Sequence, residues 1–189
     1  MRVIAGMAKG HRLKAVPGDA TRPITDRVKE ALFDILGDFV AGACVLDLFA
    51  GTGAVGIEAL SRGAAQAVFV DKSAAALQTV RANLQHTRLA ERARVVRADA
   101  FKYLVGAPDA PFDLIYVAPP QYQELWAAAL QALDSHPAWL ARYPQGGSGV
   151  LVAQLHPREY HNLPLSHLGE YDQRKYGSTL LCFYELAGE

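Results

Sequence analysis

Short apolar runs rich in β-branched residues recur at 44–48, 67–71, 94–97, 112–117 and 149–153. Between them lie stretches of helical period, at 54–63, 73–86, 99–105 and 122–134. Short apolar runs bounded by turn residues read as buried strands. Their alternation with helices reads as βαβ units around a parallel sheet, an α/β fold. Upstream, a helix starts at Thr25 or Asp26 and runs to about Leu36, with Val28, Leu32, Ile35 and Leu36 on one face and Gly37 as its stop. Residues 1–18 predict a short β-hairpin: Arg2 to Gly6, a Lys9-Gly10 turn, then Arg12 to Val16. Residues 137–148 carry Pro and Gly and read as a loop. The tail holds two β-like runs, 164–172 and 178–186, separated by Arg174-Lys175-Tyr176-Gly177. So tight a connection makes an antiparallel hairpin, because a parallel crossover needs about a dozen residues.

A chain of 189 residues, 51% of them hydrophobic, fits one domain with a short appendage. The division expected is a basic N-terminal extension over 1–24 and the main domain over 25–189. No apolar run approaches the ~20 residues of a membrane span. The opening apolar stretch meets Lys9 too early for a signal peptide, so a cytoplasmic protein without a membrane partner is expected. Cys44 and Cys182 each sit inside an apolar run and read as inert. The six histidines show no metal-ligand spacing with them, so no metal is expected. Net charge is zero, yet residues 1–98 hold 14 Lys and Arg against 9 Asp and Glu, and residues 99–189 hold 5 against 10. The first 30 residues carry seven basic side chains, Lys9, Arg12, Lys14, Arg22, Arg27 and Lys29 among them, against three acids. A basic leading segment on a neutral protein suggests contact with a polyanion; charge alone supports a solvated surface equally well.

The chemistry centres on residues 46–56, Leu-Asp-Leu-Phe-Ala-Gly-Thr-Gly-Ala-Val-Gly. Gly51, Gly53 and Gly56 spell G-x-G-x-x-G between a strand and a helix, a turn that suits any nucleotide cofactor. Asp47, four positions before the first glycine, changes that reading. Its carboxylate repels a pyrophosphate in a partly desolvated cleft but attracts S-adenosylmethionine, which has an ammonium, a sulfonium and no phosphate. The methionine carboxylate fits the helix N-terminus while Asp47 takes the ammonium, directly or through water. The chain therefore reads first as a methyltransferase.

Asp71 ends the second run, twenty residues beyond Gly51, where an acid can accept both ribose hydroxyls. The plainer reading is that Asp71 or Ser73 caps the next helix. Asp99 ends the third run and can accept from an adenine amino group, or simply cap a helix. Phe49, Lys72 and Ala100, neighbours in the same turns, complete the candidate cofactor-binding set. The fourth run ends Val117-Ala118-Pro119-Pro120-Gln121-Tyr122, a rigid exit whose prolines lack N–H groups and leave nearby carbonyls as acceptors.

These segments resemble the bacterial 16S rRNA guanine-N2 methyltransferases. The matching stretches are Arg2-Val-Ile-Ala-Gly, Lys9-Gly-His-Arg-Leu, Thr21-Arg-Pro-Ile-Thr-Asp-Arg-Val-Lys-Glu-Ala-Leu-Phe, the glycine loop through Ala64, and Arg174-Lys-Tyr-Gly-Ser-Thr. The resemblance implies a Rossmann-like seven-stranded methyltransferase sheet with an antiparallel last strand and an N-terminal extension. It implies S-adenosylmethionine at Asp47, Gly51, Gly53, Asp71 and Asp99, and 16S rRNA of the small ribosomal subunit as partner of a monomer. It also implies that Thr21-Arg22-Pro23 lies near the cofactor and RNA. Lys9, Arg12, Lys14, Arg22 and Arg27 are the candidate RNA-binding residues.

One departure stands out. The family pattern has Asp or Asn, then Pro-Pro, then an aromatic; here Ala118 precedes Pro119-Pro120, and Tyr122 comes one place late. A side-chain acceptor at that position helps the guanine amino nitrogen, a poor nucleophile, to pyramidalise. Three readings follow: the carbonyls of Ala118 and Pro119 suffice, another acid such as Glu124 or Asp26 substitutes, or turnover is weak or absent. Transfer from a sulfonium rests mostly on positioning, so the first is preferred. Losing one acceptor costs ~2–4 kcal/mol by analogy with an oxyanion-hole donor. Ala118, Pro119, Pro120 and Tyr122 form the candidate catalytic set. Tyr122 either stacks on an extruded guanine or packs as a core residue against Leu125 and Trp126. Rival functions are an NAD-dependent oxidoreductase, an adenine-N6 or protein-amide methyltransferase, and an RNA-binding module without turnover.

Overall fold

The computed structural model describes residues 1–18 and 24–188; Thr21, Arg22 and Pro23 lie outside the described residues. Seven strands form one sheet: β1 (Cys44–Leu48), β2 (Gln66–Asp71), β3 (Ala93–Arg97), β4 (Leu114–Val117), β5 (Val150–Leu155), β6 (Leu168–Tyr176) and β7 (Thr179–Leu186). Their order is β3-β2-β1-β4-β5-β7-β6. Strands β1 to β5 pair in parallel, and β7 runs antiparallel to both β5 and β6. The βαβ units and the antiparallel tail follow the expected plan.

Strand alternation sorts the core into two layers. Val45, Phe69, Tyr116 and Phe183 face one side with helices α1 (Asp26–Leu36), α2 (Ala54–Ser61) and α3 (Ala74–Thr87). Leu46, Leu48, Val70, Ile115, Val117 and Cys182 face the other, under α4 (Ala100–Leu104) and α5 (Leu125–Asp134). Helices α1 and α3 each start on a side-chain cap: Thr25 Oγ1 accepts from Val28 N–H (3.3 Å) and Ser73 Oγ from Ala76 N–H (3.2 Å).

Four expectations need correction. The buried face of α1 uses Phe33, while Ile35 is 40% exposed. The N-terminal hairpin is shorter than expected: its arms meet at one antiparallel bridge, Arg2 with Arg12, with Val3 N–H donating to the His11 carbonyl (2.9 Å) and Leu13 N–H to the Met1 carbonyl (3.2 Å), while Ile4, Ala5, Ala8 and Lys14 N–H groups donate to side chains of α2 and α3 instead. The first tail strand begins at Leu168 and runs through Arg174-Lys175-Tyr176, so the turn lies at Gly177-Ser178. Helix α5 starts at Leu125, since Tyr122 (φ 61°) and Glu124 (φ 54°) hold left-handed backbone that a helix cannot contain.

The N-terminal segment is fastened by buried polar groups. Glu58 on α2, fully buried, accepts from Ile4 N–H (2.8 Å), Ala5 N–H (3.0 Å) and Arg62 Nε (2.9 Å). It also pairs with Lys29 Nζ on α1 at 3.1 Å; Lys29 in turn donates to the Arg2 carbonyl (2.6 Å). Ser61 Oγ accepts from Ala8 N–H and donates to the Ala5 carbonyl. Val3, Ala8 and Leu13 sit in the same core as α1 and α2. Burial holds the Lys29 ammonium below its usual pKa, despite Glu58. Lys29 therefore leaves the basic surface read from the sequence.

Gly6 shows why that segment starts as it does. It has φ 80°, and a Cβ there would lie 1.8 Å from the Ser61 carbonyl oxygen. Gly6→Ala is expected to lift residues 4–8 off α2, seen as faster amide exchange at Ala5 and Ala8 than in the wild type. Unchanged protection would mean this contact is dispensable.

Candidate active site

Parallel pairing sets the ends of β1 and β4 side by side, Leu48 opposite Val117, at the carboxyl edge of the sheet. Ligands bind at that edge in open α/β folds, where strand order reverses. Here the reversal falls between β1 and β4. The chain leaves β1 through Phe49 (φ 65°), Gly51 (φ 55°) and Gly53 (φ 75°), three left-handed residues in five. Gly53 is the N-cap of α2 without a side-chain cap of its own. Gly56 has another purpose: a Cβ there would lie 2.4 Å from Phe69 Cε1, so this glycine lets α2 seat on β2.

Asp47 points to the α2 layer and is 2% exposed. Its Oδ2 accepts from Gly56 N–H at 3.0 Å, capping the helix from the strand below; Oδ1 accepts no hydrogen bond among the described residues. Burial pushes its carboxyl up to about 7, against the Gly56 hydrogen bond; the Asp71 charge adds to the rise. Near neutral pH Asp47 is thus poised between acid and carboxylate. A cation at Oδ1 draws the proton out, while a diphosphate would keep it on.

Asp71 is half-buried at the end of β2. Oδ2 accepts from Gly51 N–H (2.9 Å) and Oδ1 from Ser73 N–H (2.8 Å), while Ser73 caps α3. Each oxygen keeps one lone pair. Asp99 caps α4, its Oδ1 accepting from Phe101 N–H (3.0 Å) and Lys102 N–H (3.2 Å). So the plainer capping role of Asp99 is present, and any ligand contact is additional. Phe49 packs edge-on against Phe101 (6.1 Å), joining the first and third turns. Ala100 is buried behind them and Lys72 is exposed at the second turn.

At the fourth strand, Ala118 is half-buried, Pro119 buried and Pro120 exposed. Ala118 N–H points at the Leu48 carbonyl (3.4 Å), and no N–H among the described residues is directed at the carbonyls of Ala118, Pro119 or Pro120. Neither substitute acid is free: Glu124 pairs with His161 (2.8 Å) and Asp26 accepts from Arg2 N–H (3.0 Å). Tyr122 is 65% exposed and its ring tilts against His156 (5.3 Å), which excludes the core role. Glu159, which sequence reading missed, is the buried brace of this loop. It accepts from Tyr122 N–H (2.5 Å) and His156 N–H (3.4 Å). Nothing in the His156-Pro157-Arg158-Glu159 turn marks it in advance.

Lys9, Arg12, Lys14 and Arg27 are exposed, and none has a carboxylate within 4.0 Å among the described residues. Arg22 lies outside them. The segment meets the glycine turn at Thr52, whose hydroxyl donates to Met1 Sδ (3.9 Å), and through Asn83. Asn83 accepts from Lys14 N–H (2.8 Å) and donates to the carbonyls of Lys14 (3.1 Å) and Thr52 (3.0 Å). Among the described residues no cluster of His, Cys, Asp and Glu could hold a metal, and no helix is long and apolar enough to cross a membrane.

Residues 1–185 match the family described as "Conserved hypothetical protein 95". The chain is 40% identical over 192 residues to a Bacillus subtilis (strain 168) protein named "Putative rRNA methyltransferase YlbH", covering all of both chains. It is 38% identical over 141 residues to "Ribosomal RNA small subunit methyltransferase D" of Escherichia coli (strain K12), covering 75% of this chain and 70% of that one. In three dimensions it superposes on "Putative methyltransferase yhhF from Escherichia coli" with TM-score 0.82 and 31% identity, over 100% of this chain and 99% of the other. With the strand order and the glycine turn already described, these likenesses identify the chain as a methyltransferase belonging to the Conserved hypothetical protein 95 family.

Proposed function

We propose that this protein transfers a methyl group from S-adenosylmethionine to the exocyclic N2 of a guanine in 16S ribosomal RNA of the small subunit, acting as a cytoplasmic monomer. The observation that carries the reading is the apposition of two unlike turns at one sheet edge. One offers the start of α2 at Gly53, which has no side-chain cap of its own, and an Asp47 oxygen that accepts no hydrogen bond among the described residues; the other offers the carbonyls of Ala118 and Pro119, unpaired among the same residues. The name of the E. coli relative supports the substrate.

The residues present fit the cofactor. Asp47 Oδ1 takes its ammonium, the α2 N-terminus its carboxylate, and the remaining lone pairs of Asp71 its ribose hydroxyls. Phe49 and Ala100 bound the adenine side, with Asp99 and Lys72 at its rim. When bound, S-adenosylmethionine supplies an electrophilic methyl on sulfur. The chain does the rest by position. Ala118 and Pro119 carbonyls accept the two amino hydrogens of guanine, which returns lone-pair density to nitrogen; once methylated, the nitrogen gives up one of those protons to solvent. The exposed ring of Tyr122 stacks on the extruded base, and Glu159 fixes the backbone that carries it. Lys9, Arg12, Lys14, Arg22 and Arg27 hold RNA phosphates, and Asn83 ties the Lys14 backbone to the glycine turn.

Ala118→Asn is expected to keep or raise kcat, since it adds an acceptor to carbonyls that already suffice. A loss beyond about tenfold, or ~1.4 kcal/mol, would mean the loop is built around alanine. The reading itself is tested by methyl transfer from labelled cofactor to small subunits purified from cells lacking this protein, followed by nucleoside analysis. N2-methylguanosine in 16S RNA is the expected product. Label on adenine N6 would replace the reading with its nearest rival, and no label would leave an RNA-binding protein without turnover.

A further inference from the structure

A cleft of about 410 Å³ lies beside the candidate active site and takes no part in the reaction described above. It is lined by His156, Pro157, Arg158, Lys175, Gly177 and Ser178. The sheet explains the placement. Antiparallel pairing sets Leu180 of β7 opposite Leu155 of β5, so the β6–β7 turn meets the segment leaving β5 at the same carboxyl edge as the Pro-Pro exit. The cleft joins that exit through Tyr122, whose ring touches His156.

Its chemistry is that of an anion seat. Arg174 is engaged by Asp172 (2.8 Å), but exposed Arg158 and Lys175 have no carboxylate within 4.0 Å among the described residues. His156 Nδ1 accepts from Arg158 N–H (3.2 Å), which leaves the ring proton on Nε2 as a further donor. Glu159, the acid in the same turn, is turned inward onto Tyr122 and His156. Two unpaired cations and a ring donor, next to an exposed aromatic, match the backbone of a single strand whose base has been turned out.

We propose that this cleft seats the phosphates of nucleotides flanking the target guanine, with Arg158 and Lys175 as their charge partners. The inference rests on the functional reading above, in which Tyr122 receives the base. It adds a second basic contact across the site from the N-terminal segment, so the RNA is gripped on both sides of the reacting nucleotide.

The test is the double variant Arg158→Ala, Lys175→Ala, with Arg158→Lys, Lys175→Arg as its charge-conserving control. Both positions are exposed, so neither variant should impair folding. The alanine pair should raise KM for small subunits at least tenfold, leave kcat within about twofold, and leave the affinity for S-adenosylhomocysteine unchanged. Its log–log salt dependence of kcat/KM should flatten by about 1.4, for two single-strand phosphates at roughly 0.7 each. The control should behave as wild type. Equal KM and equal salt slopes for wild type and the alanine pair would overturn the cleft. If the wild type transfers no methyl group, the functional reading fails. A fluorescein-labelled single-stranded oligoribonucleotide then reads the cleft alone: a flatter slope in the alanine pair supports it, and equal slopes or no binding overturn it.

Discussion

Glu58→Gln is expected to destabilise the protein by about 3–5 kcal/mol, the effect of leaving one partner of a buried ion pair without the other. Lys29 is fully buried, and among the described residues Glu58, at 3.1 Å, is the only carboxylate within 4.0 Å of its ammonium. Glutamine keeps one acceptor for Ile4 or Ala5 but no charge for Lys29 or Arg62. In a chain of this size each kcal/mol moves Tm by about 2–4 °C, so a fall of about 10 °C is expected. The loss should be local in origin: amides of Ile4 and Ala5 should lose protection before the strands do. Lys29→Met combined with Glu58→Gln should recover much of the loss, because it removes the stranded charge. RNA affinity should also fall, since the segment bearing Lys9, Arg12 and Lys14 is what this pair anchors. A variant that melts with the wild type would show that the pair contributes nothing.

Asp47→Asn is expected to separate stability from binding. The carboxyl titrates near 7 in the folded protein and near the ordinary 3.8 when unfolded. Between those values the native state holds a proton that the unfolded state has lost, so this group lowers wild-type stability as pH rises from 4 to 7. Asparagine cannot titrate and can still accept from Gly56 N–H. The stability difference, variant minus wild type, should therefore widen by about 2–4 kcal/mol between pH 4 and pH 8 in denaturant titrations. Over the same substitution the affinity for S-adenosylhomocysteine should fall about 100-fold at pH 8, the worth of one charge-assisted hydrogen bond. Parallel stability curves with undiminished affinity would remove Asp47 from both roles.

Much of the architecture was open to reading because it depends on local period. The apolar runs at 44–48 and 67–71 became β1 and β2 within a residue, and the short tail connection forced an antiparallel pair. What failed depends on partners distant in sequence. Ile35 and Phe33 are both compatible with an apolar helix face, and only the packing of α1 chooses between them. The tail turn lies two residues from where it was expected because Arg174, Lys175 and Tyr176 pair with Leu181, Leu180 and Thr179, and Gly177 (φ 60°) supplies the left-handed backbone of the turn; exposed charged residues in a paired strand carry no apolar period. Lys29 counted with the basic leading segment; its burial against Glu58 follows from where residues 2–8 dock. Asp47 was found for its charge, but burial makes that charge conditional on the ligand. Tyr122 came out of the core because Glu159, 37 residues later, pulls its backbone into a left-handed turn.

A buried acid at position 47 selects a cofactor that bears an ammonium over one that bears a diphosphate. Calorimetry of the wild type at pH 7, in two buffers of different ionisation enthalpy, tests it directly. The account predicts binding of S-adenosylhomocysteine with release of about half a proton as Asp47 is drawn into its charged form, and no binding of NAD. Tight NAD binding without S-adenosylhomocysteine binding would contradict it.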